Sequence, residues 1–380
     1  MKIGIIGGGQ LGRMFIQNGL NYGHEFHVLD PDPEAPCSSI AHKFICADRN
    51  DEDAVFALGM ACDVVTIEIE NVSISGLKKL VEAGVTVYPQ PEILEMIRDK
   101  GLQKQFYVDN GLPTAPFALV ENRSQIHDHE ALLPVMQKMR VGGYDGKGVT
   151  PIKSTGDIET AFDEPSVLES WVDNALEIAV LVSRNASGDI KSFPVVELVF
   201  DPKANLVDYL VSPARIDVEI ESRAREIAEQ LIAKMDMVGL LAVELFVTEN
   251  GEVLINEMAP RPHNSGHHTI EACFTSQYDQ HLRSILNWPL GNTVLRCAAA
   301  MINLVGEEGH TGPVLYRGLD DAISETGVFP HIYGKSMTKP YRKMGHVTVL
   351  DNTTDDALSK AHRVKEMLKV VSLSAAEQGA

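Results

Sequence analysis

Cysteine is scarce in this chain and scattered where it occurs. Cys37, Cys46, Cys62, Cys273 and Cys297 are odd in number and widely spaced, and no C-x-x-C occurs. That excludes a disulfide framework or a cysteine zinc site and suits a reducing, cytoplasmic compartment. The chain lacks a long apolar run, and it lacks a charged start leading into one, so neither a membrane span nor secretion is expected. Positive charge is in deficit, with a formal net charge of −20. A general nucleic-acid or anionic-membrane binder needs a positive field and is excluded; a small anion held in a local basic pocket is not. No internal repeat, low-complexity segment or biotin-attachment region stands out. What is present is 380 residues, 44% hydrophobic and 23% charged, enough for two or three globular domains.

The stretch Lys138 to Gly148 concentrates the chemistry. Gly142, Gly143, Gly146 and Gly148 surround Tyr144, Asp145 and Lys147. Glycine lets backbone N–H groups approach an anion, and Lys138 and Lys147 add positive charge. The flanking runs, Pro134–Lys138 and Val149–Lys153, read as strands, which makes this a hairpin tip able to move over phosphates. A plain solvated turn is the alternative.

The first hundred residues read as a parallel sheet. Strands are expected at Lys2–Ile6, Glu25–Asp30, Phe44–Ala47, Val64–Ile69 and Val85–Tyr88. Gly7, Gly9 and Gly12 form a G-x-G-x-x-G with Asp30 about 20 residues on, which keeps a nicotinamide-dependent enzyme as a rival. Strand ends in such sheets face ligands, which places Gln10, Glu68, Glu70 and Asn71 near one. Pro91–Tyr107 reads as one helix carrying Lys100 and Lys104. In Ser166–Val172, Glu169 beside extended backbone suits an adenine amino group, and Glu177 suits ribose hydroxyls.

A second acidic pair follows. Glu244 and Glu257 lie on two apolar strands joined by a turn at Glu249–Glu252. Ionised carboxylates among apolar neighbours are costly unless paired or metal-bound. With Asn256 they make an oxygen-rich set suited to Mg²⁺. Salt bridges to Arg261 or Arg215 are the alternative. Arg261, His263 and Asn264 then form a polar loop suited to an anion. His263 and His267 are four apart, but Pro262 and Gly266 break the helix a zinc pair would need. Short strands and a helix over Thr354–Val370 close the chain, and the last ten residues read as frayed.

Six segments carry a resemblance: Gly7–Gly12, Thr66–Asn71, Gly142–Gly148, Glu169–Val172, Asn256–His267 and Lys335 through His346. Together they resemble the ATP-grasp superfamily, and within it the N5-carboxyaminoimidazole ribonucleotide synthetase family of purine biosynthesis. The resemblance implies an α/β chain, α+β overall, of ATP-grasp architecture. A Rossmann-like parallel-sheet domain would span 1–97. An ATP-grasp domain would span 98–295, with a small mobile lid at about 113–172. A β-rich region would span 296–380. It also implies ATP, Mg²⁺ or Mn²⁺, bicarbonate and 5-aminoimidazole ribonucleotide as ligands, and a homodimer.

By the same resemblance Lys100 and Lys138 contact ATP phosphates under the glycine loop. Glu169, Trp171 and Val172 hold adenine, Glu177 the ribose, and Glu244 and Glu257 the metal, beside Asn256. Tyr144, Asp145 and Lys147 approach the aminoimidazole, with Asp145 as the base. Arg261, His263 and Asn264 serve the reacting anion. Lys335 and Arg342 grip the ribonucleotide phosphate, and Gln10 and Glu70 touch that nucleotide. The chain departs from the family pattern at Glu197 and Phe200, where Asn and His are usual, and at Val149, where Gln is usual.

Overall fold

The computed structural model describes residues 1–143, 148–173, 175–201, 203 and 206–373. Among these, the strands fall into four sheets. The first is the expected parallel one. Strands β1 (Lys2–Ile6), β2 (Glu25–Asp30), β3 (Lys43–Cys46), β4 (Val64–Ile67) and β5 (Thr86–Val87) lie in the order β3-β2-β1-β4-β5. Ile3, Ile5, Val28, Val64 and Val65 are buried, as a sheet covered on both faces requires. Helices α1 (Gln10–Gly19), α2 (Glu52–Gly59) and α3 (Ile74–Glu82) follow their strands. Asp51 and Ser73 cap the latter two by accepting from backbone amides.

The helix expected over Pro91–Tyr107 is two helices, α4 (Pro91–Ile97) and α5 (Lys100–Asp109). Asp99 breaks them. Its backbone is extended and its carboxylate caps α5 by accepting from the amides of Gly101 and Leu102. The same carboxylate takes a two-point bond from Arg140, Nε at 2.9 Å and Nη2 at 2.6 Å. A local helix-forming sequence is overridden by a cap and a distant guanidinium.

A small antiparallel sheet of β6 (Phe117–Val120), β7 (Val135–Met139), β8 (Val149–Ile152) and β9 (Ser166–Ser170) has the order β6-β9-β7-β8. Its own apolar cluster includes Val120, Val135, Ile152 and Leu168. The hairpin of β7 and β8 is as expected. The largest sheet contains β10 (Leu176–Arg184), β11 (Ile190–Ser192), β12 (Val196–Asp201), β13 (Leu206–Ser212), β14 (Gly239–Val247) and β15 (Val253–Ala259). Helix α6 (Val218–Lys234) packs Ala224, Ile227, Leu231 and Ile232 against it. Helices α7 (Thr269–Ala272) and α8 (Gln277–Ile285) follow, and α8 lies on α1.

The C-terminal region is β-rich. It comprises β16 (Ala298–Val305), β17 (Gly312–Arg317), α9 (Leu319–Ser324), β18 (Val328–Ile332), β19 (Met337–Thr338), β20 (Lys343–Asp351), α10 (Thr354–Met367) and β21 (Lys369–Ser372). β16, β20 and β18 extend the large sheet through a pairing of β13 with β16. The last helix stops at Met367, short of the expected Val370. The β-branched pair Val370 and Val371 joins a strand against Tyr316 and Leu315. Part of the tail expected to fray is thus in β21. Among the described residues no helix is long and apolar enough to cross a membrane.

Candidate active site

Glu244 on β14 and Glu257 on β15 are register partners, and the ladder shifts immediately after Glu244. Glu244 is 15% exposed and Glu257 45%, so the second opens to the cleft. Burial, then the neighbouring charge of Glu257 and that of Glu177, raise the Glu244 pKa. Burial would raise Glu257 too, but Lys100 and Lys138 outweigh it and hold that carboxyl low. Lys100 Nζ lies 2.8 Å from Glu257 Oε2. Among the described residues neither rival arginine forms an ion pair with these two acids. Arg261 lies on Glu70, 2.8 Å from Nε to Oε1, and Arg215 grips Glu197. Glu197, one of the departures from the family pattern, is therefore committed to an arginine.

Two acids, one unhappy when ionised and one held ionised by an ammonium, together with Asn256, form a hard-oxygen set that fits Mg²⁺. Among the described residues no group of three or more His, Cys, Asp or Glu has metal-holding geometry.

Lys100, Lys138, Asn256 and Glu257 line a small cavity with Gln103, Lys104 and Val167. Lys138 donates to Asn256 Oδ1 at 2.7 Å, bridging the small sheet to the large one. It also pairs with Glu169. Glu169, expected to present its carboxylate to an adenine amino group, is engaged here by two lysines. At 2% exposure, both its oxygens are taken by ammonium groups, Oε1 by Lys104 and Oε2 by Lys138. A carboxylate this deeply buried persists only with such partners. Burial pushes the Lys104 pKa down to about 8 against the pull of Glu169, with Lys138 adding repulsion. Glu169 itself is lowered, because two cations overcome its burial.

The backbone after β9 keeps its expected character. The amides of Ser170 and Trp171 donate to Pro116 and Pro134 carbonyls. The Val172 amide has no hydrogen-bond partner among the described residues. The Trp171 ring points outward, 37% exposed, with Lys153 Nζ 5.9 Å from its centroid. Glu177 on β10 is raised by burial and eased by Lys138, whose charge reaches it. Gly142 and Gly148 bracket the hairpin tip with φ of 85° and 74°, in the left-handed region that favours glycine. A Cβ on Gly148 would lie 3.1 Å from Gly143 Cα, so the two sides of the tip meet closely. Tyr144, Asp145, Gly146 and Lys147 lie outside the described residues.

The glycine-rich turn after β1 is filled by the protein itself. Glu68 accepts from the amides of Gly9 at 2.8 Å and Gly12 at 3.1 Å. Asp30 accepts from Gly8 at 2.9 Å and from Arg49 at 3.0 Å. A Cβ on Gly7 would lie 2.6 Å from Glu68 Cγ. The amides that would cradle a pyrophosphate are therefore occupied by carboxylates, and the acid that would take a ribose is spent on the loop. The dinucleotide reading falls on that contact, and Glu68 is an internal plug rather than a ligand neighbour. Gln10 opens α1 beside it, while Asn71 accepts from Arg98 at 3.5 Å.

The loop after β15 is well braced. The His263 amide donates to Gln277 at 2.8 Å, and His263 Nε2 is 3.8 Å from Glu244 Oε1. His267 stacks on His346, centroids 4.5 Å apart, and His346 on His331 at the same spacing. Asn264 Nδ2 is buried without a partner among the described residues, as a donor awaiting a ligand would be. Glu70, joined to Arg261, ties the first domain to this loop. Lys335 Nζ donates to the carbonyl of Lys343 at 2.7 Å. Arg342 Nη1 donates to Met337 O at 2.6 Å. Ser336 donates to Glu34 at 2.9 Å, and a Cβ on Gly334 would lie 3.6 Å from Arg13 Nη1. This basic loop thus docks on the first domain at Glu34 and Arg13. Nothing in the sequence pattern singles out Arg140, Lys104 or Arg13 for these contacts; only the third dimension joins them to their partners.

Three family models match in turn. They are a ribonucleotide synthetase preATP-grasp domain over 1–98, an ATP-grasp domain over 105–278, and a phosphoribosylaminoimidazole carboxylase C-terminal domain over 299–360. The N5-carboxyaminoimidazole ribonucleotide synthase of Bacillus subtilis is 37% identical, covering 93% of this chain and 92% of its own length. The crystal structure of N5-carboxyaminoimidazole ribonucleotide synthetase from Thermotoga maritima is 44% identical with a TM-score of 0.91, covering 98% of this chain and 99% of that one. The Aspergillus clavatus synthase, in complex with ADP and 5-aminoimidazole ribonucleotide, is 30% identical with a TM-score of 0.87, covering 96% and 98%.

Proposed function

The chain belongs to the N5-carboxyaminoimidazole ribonucleotide synthase family, and from that premise we propose how its cleft works. The enzyme is an ATP-dependent carbon–nitrogen ligase that carboxylates 5-aminoimidazole ribonucleotide in purine biosynthesis. Bicarbonate is the carboxyl source, and ADP and phosphate leave. Bicarbonate is a poor electrophile. Its oxygen attacks the ATP γ-phosphorus, the bond to ADP breaks, and carboxyphosphate forms. The exocyclic amine of the ribonucleotide then takes the carboxyl carbon, phosphate leaves, and a base removes the amine proton.

Phosphoryl transfer asks mainly for positioning and charge neutralisation. Lys100 and Lys138 supply positive charge at the phosphates, and Arg261 supplies it beside the bicarbonate. Glu244, Glu257 and Asn256 would hold Mg²⁺ or Mn²⁺, which would neutralise the β- and γ-phosphate oxygens. The Val172 amide reads the adenine edge and Glu177 the ribose. Gly142, Gly143, Gly146 and Gly148 close the hairpin over the triphosphate. Tyr144 and Lys147 face the aminoimidazole, and Asp145 is the base. His263 and Asn264 orient the reacting anion. Gln10, Glu70, Lys335 and Arg342 receive the ribonucleotide. A homodimer, a cytoplasmic location and domain limits at 1–97, 98–295 and 296–380 complete this reading, with a lid at about 113–172.

The observation that carries it is the convergence of Lys100, Lys138, Asn256, Glu244 and Glu257 at one cleft between two sheets. The test is ADP release. It is expected to depend on both bicarbonate and the ribonucleotide. Release indifferent to the ribonucleotide would set the substrate assignment aside.

A further inference from the structure

We infer that Lys104 is a positioning residue for ATP. It stays on Glu169 as that carboxylate's permanent counter-ion and so frees Lys138 to move to the nucleotide's phosphates.

The two lysines are unequal. Lys104 is 4% exposed, and its ammonium is used up by Glu169, by Thr114 Oγ1 at 2.7 Å and by the Ile255 carbonyl at 3.4 Å. Thr114 itself donates to the same carbonyl at 2.9 Å, which fixes the Lys104 seat. A nearly buried side chain with its three donors spent cannot readily follow a ligand. Lys138 is 13% exposed, lies on the strand leading into the hairpin tip, and among the described residues holds Glu169 and Asn256. It is the cation that can turn into the cleft.

Without Lys104, that turn would strand a nearly buried carboxylate with no positive partner, a heavily penalised state. Lys138 would then be held on Glu169, and ATP would have to compete with an intramolecular ion pair. With Lys104 in place the trade is nearly even. Glu169 keeps one cation, and Lys138 exchanges a carboxylate oxygen for phosphate oxygens. Lys100 and Lys104 are four apart on α5 and so share a face. One therefore serves Glu257 and the other Glu169 from a single helix.

This rests on the reading that Lys138 meets ATP phosphates, so the experiment includes both. Binding of ATP and of 5-aminoimidazole ribonucleotide would be measured by calorimetry on the full-length wild type and five variants. The variants are Lys104→Met, Lys104→Arg, Glu169→Gln, the double variant of Lys104→Met with Glu169→Gln, and Lys138→Met. Lys104→Met is expected to weaken ATP roughly tenfold or more while leaving the ribonucleotide nearly unchanged, and Lys104→Arg to restore much of the loss. In the Glu169→Gln background, adding Lys104→Met is expected to cost less than about threefold, because no charge remains to compensate. Wild-type ATP affinity in Lys104→Met would overturn the inference. So would a second loss of about tenfold in the Glu169→Gln background. Where Lys104→Met does not fold alone, the comparison of Glu169→Gln with the double variant decides the same question. ATP affinity unaltered in Lys138→Met would instead remove the phosphate reading on which the inference rests.

Discussion

Glu244 and Glu257 face each other across two antiparallel strands, and the ladder bulges directly beyond them. A bulge re-aims the side chains beside it. Here it accompanies two facing carboxyl groups, with Lys100 on one of them. Such an arrangement costs stability unless a cation is shared, so it reads as a binding site rather than a structural pair. Glu257→Gln should lose magnesium-dependent ATP turnover by more than the roughly 10–100-fold that outer-shell changes cost. Steady-state ADP release at varied Mg²⁺ checks this, and a variant retaining most of its turnover would deny Glu257 the role.

The ribonucleotide phosphate should be felt at Lys335 and Arg342. A charge-assisted hydrogen bond contributes about 1.5–3 kcal/mol, so alanine at either position should raise the ribonucleotide KM roughly 10–150-fold. The ATP KM should move little. Equal losses for both substrates would contradict the assignment.

Glu68 should matter to stability rather than to nucleotide affinity. Glu68→Ala strands the amides of Gly9 and Gly12, at roughly 1–3 kcal/mol each. Glu68→Gln retains one acceptor and should cost less. Urea unfolding followed by circular dichroism orders the three proteins, and an alanine variant as stable as the wild type would show the plug to be idle.

The buried histidines predict acid sensitivity. Burial pushes His281 down to about 3 and His268 to about 4, and it holds His267 and His346 well below the ordinary value of 6.5. Folded, these rings stay neutral; unfolded, they protonate below about pH 6.5. The unfolded state binds more protons in that window, so stability falls as pH drops. Each ring adds about 1.4 kcal/mol per pH unit to the slope. Unfolding midpoints between pH 7 and 5 should fall steeply, and His281→Phe should flatten the slope by one such increment. An unchanged slope would mean that His281 is not held neutral.

Much of this was legible in the chain. The glycine-flanked hairpin, the parallel strands and the acidic pair all follow from periods and turn signals a few residues long. The facing of Glu244 and Glu257 was readable because a short turn fixes the register. What escaped was set by distant partners. Asp99 ends a helix because Arg140 and two amides hold it extended. Glu169 looks like a free acceptor until Lys104 and Lys138 arrive from other elements. Glu68 looks like a ligand neighbour until the glycine turn folds onto it. Val370 continues a helical stripe, yet strand pairing with Tyr316 claims it. In each case a local signal was correct about the residue's chemistry and silent about its partner.

Asp145, outside the described residues, carries the proposed proton step. Asp145→Asn should keep ATP affinity and lose carboxylated product, seen as ADP release no longer matched by ribonucleotide consumption. Full coupled turnover would remove it from the mechanism.

Phosphoryl transfer to bicarbonate underlies every step proposed for the cleft, and the fate of bicarbonate oxygen reads it out. With oxygen-18 bicarbonate and full turnover, the released phosphate should carry one bicarbonate-derived oxygen, because the C–O bond of carboxyphosphate breaks and phosphorus keeps the bridge. Phosphate without the label would rule carboxyphosphate out.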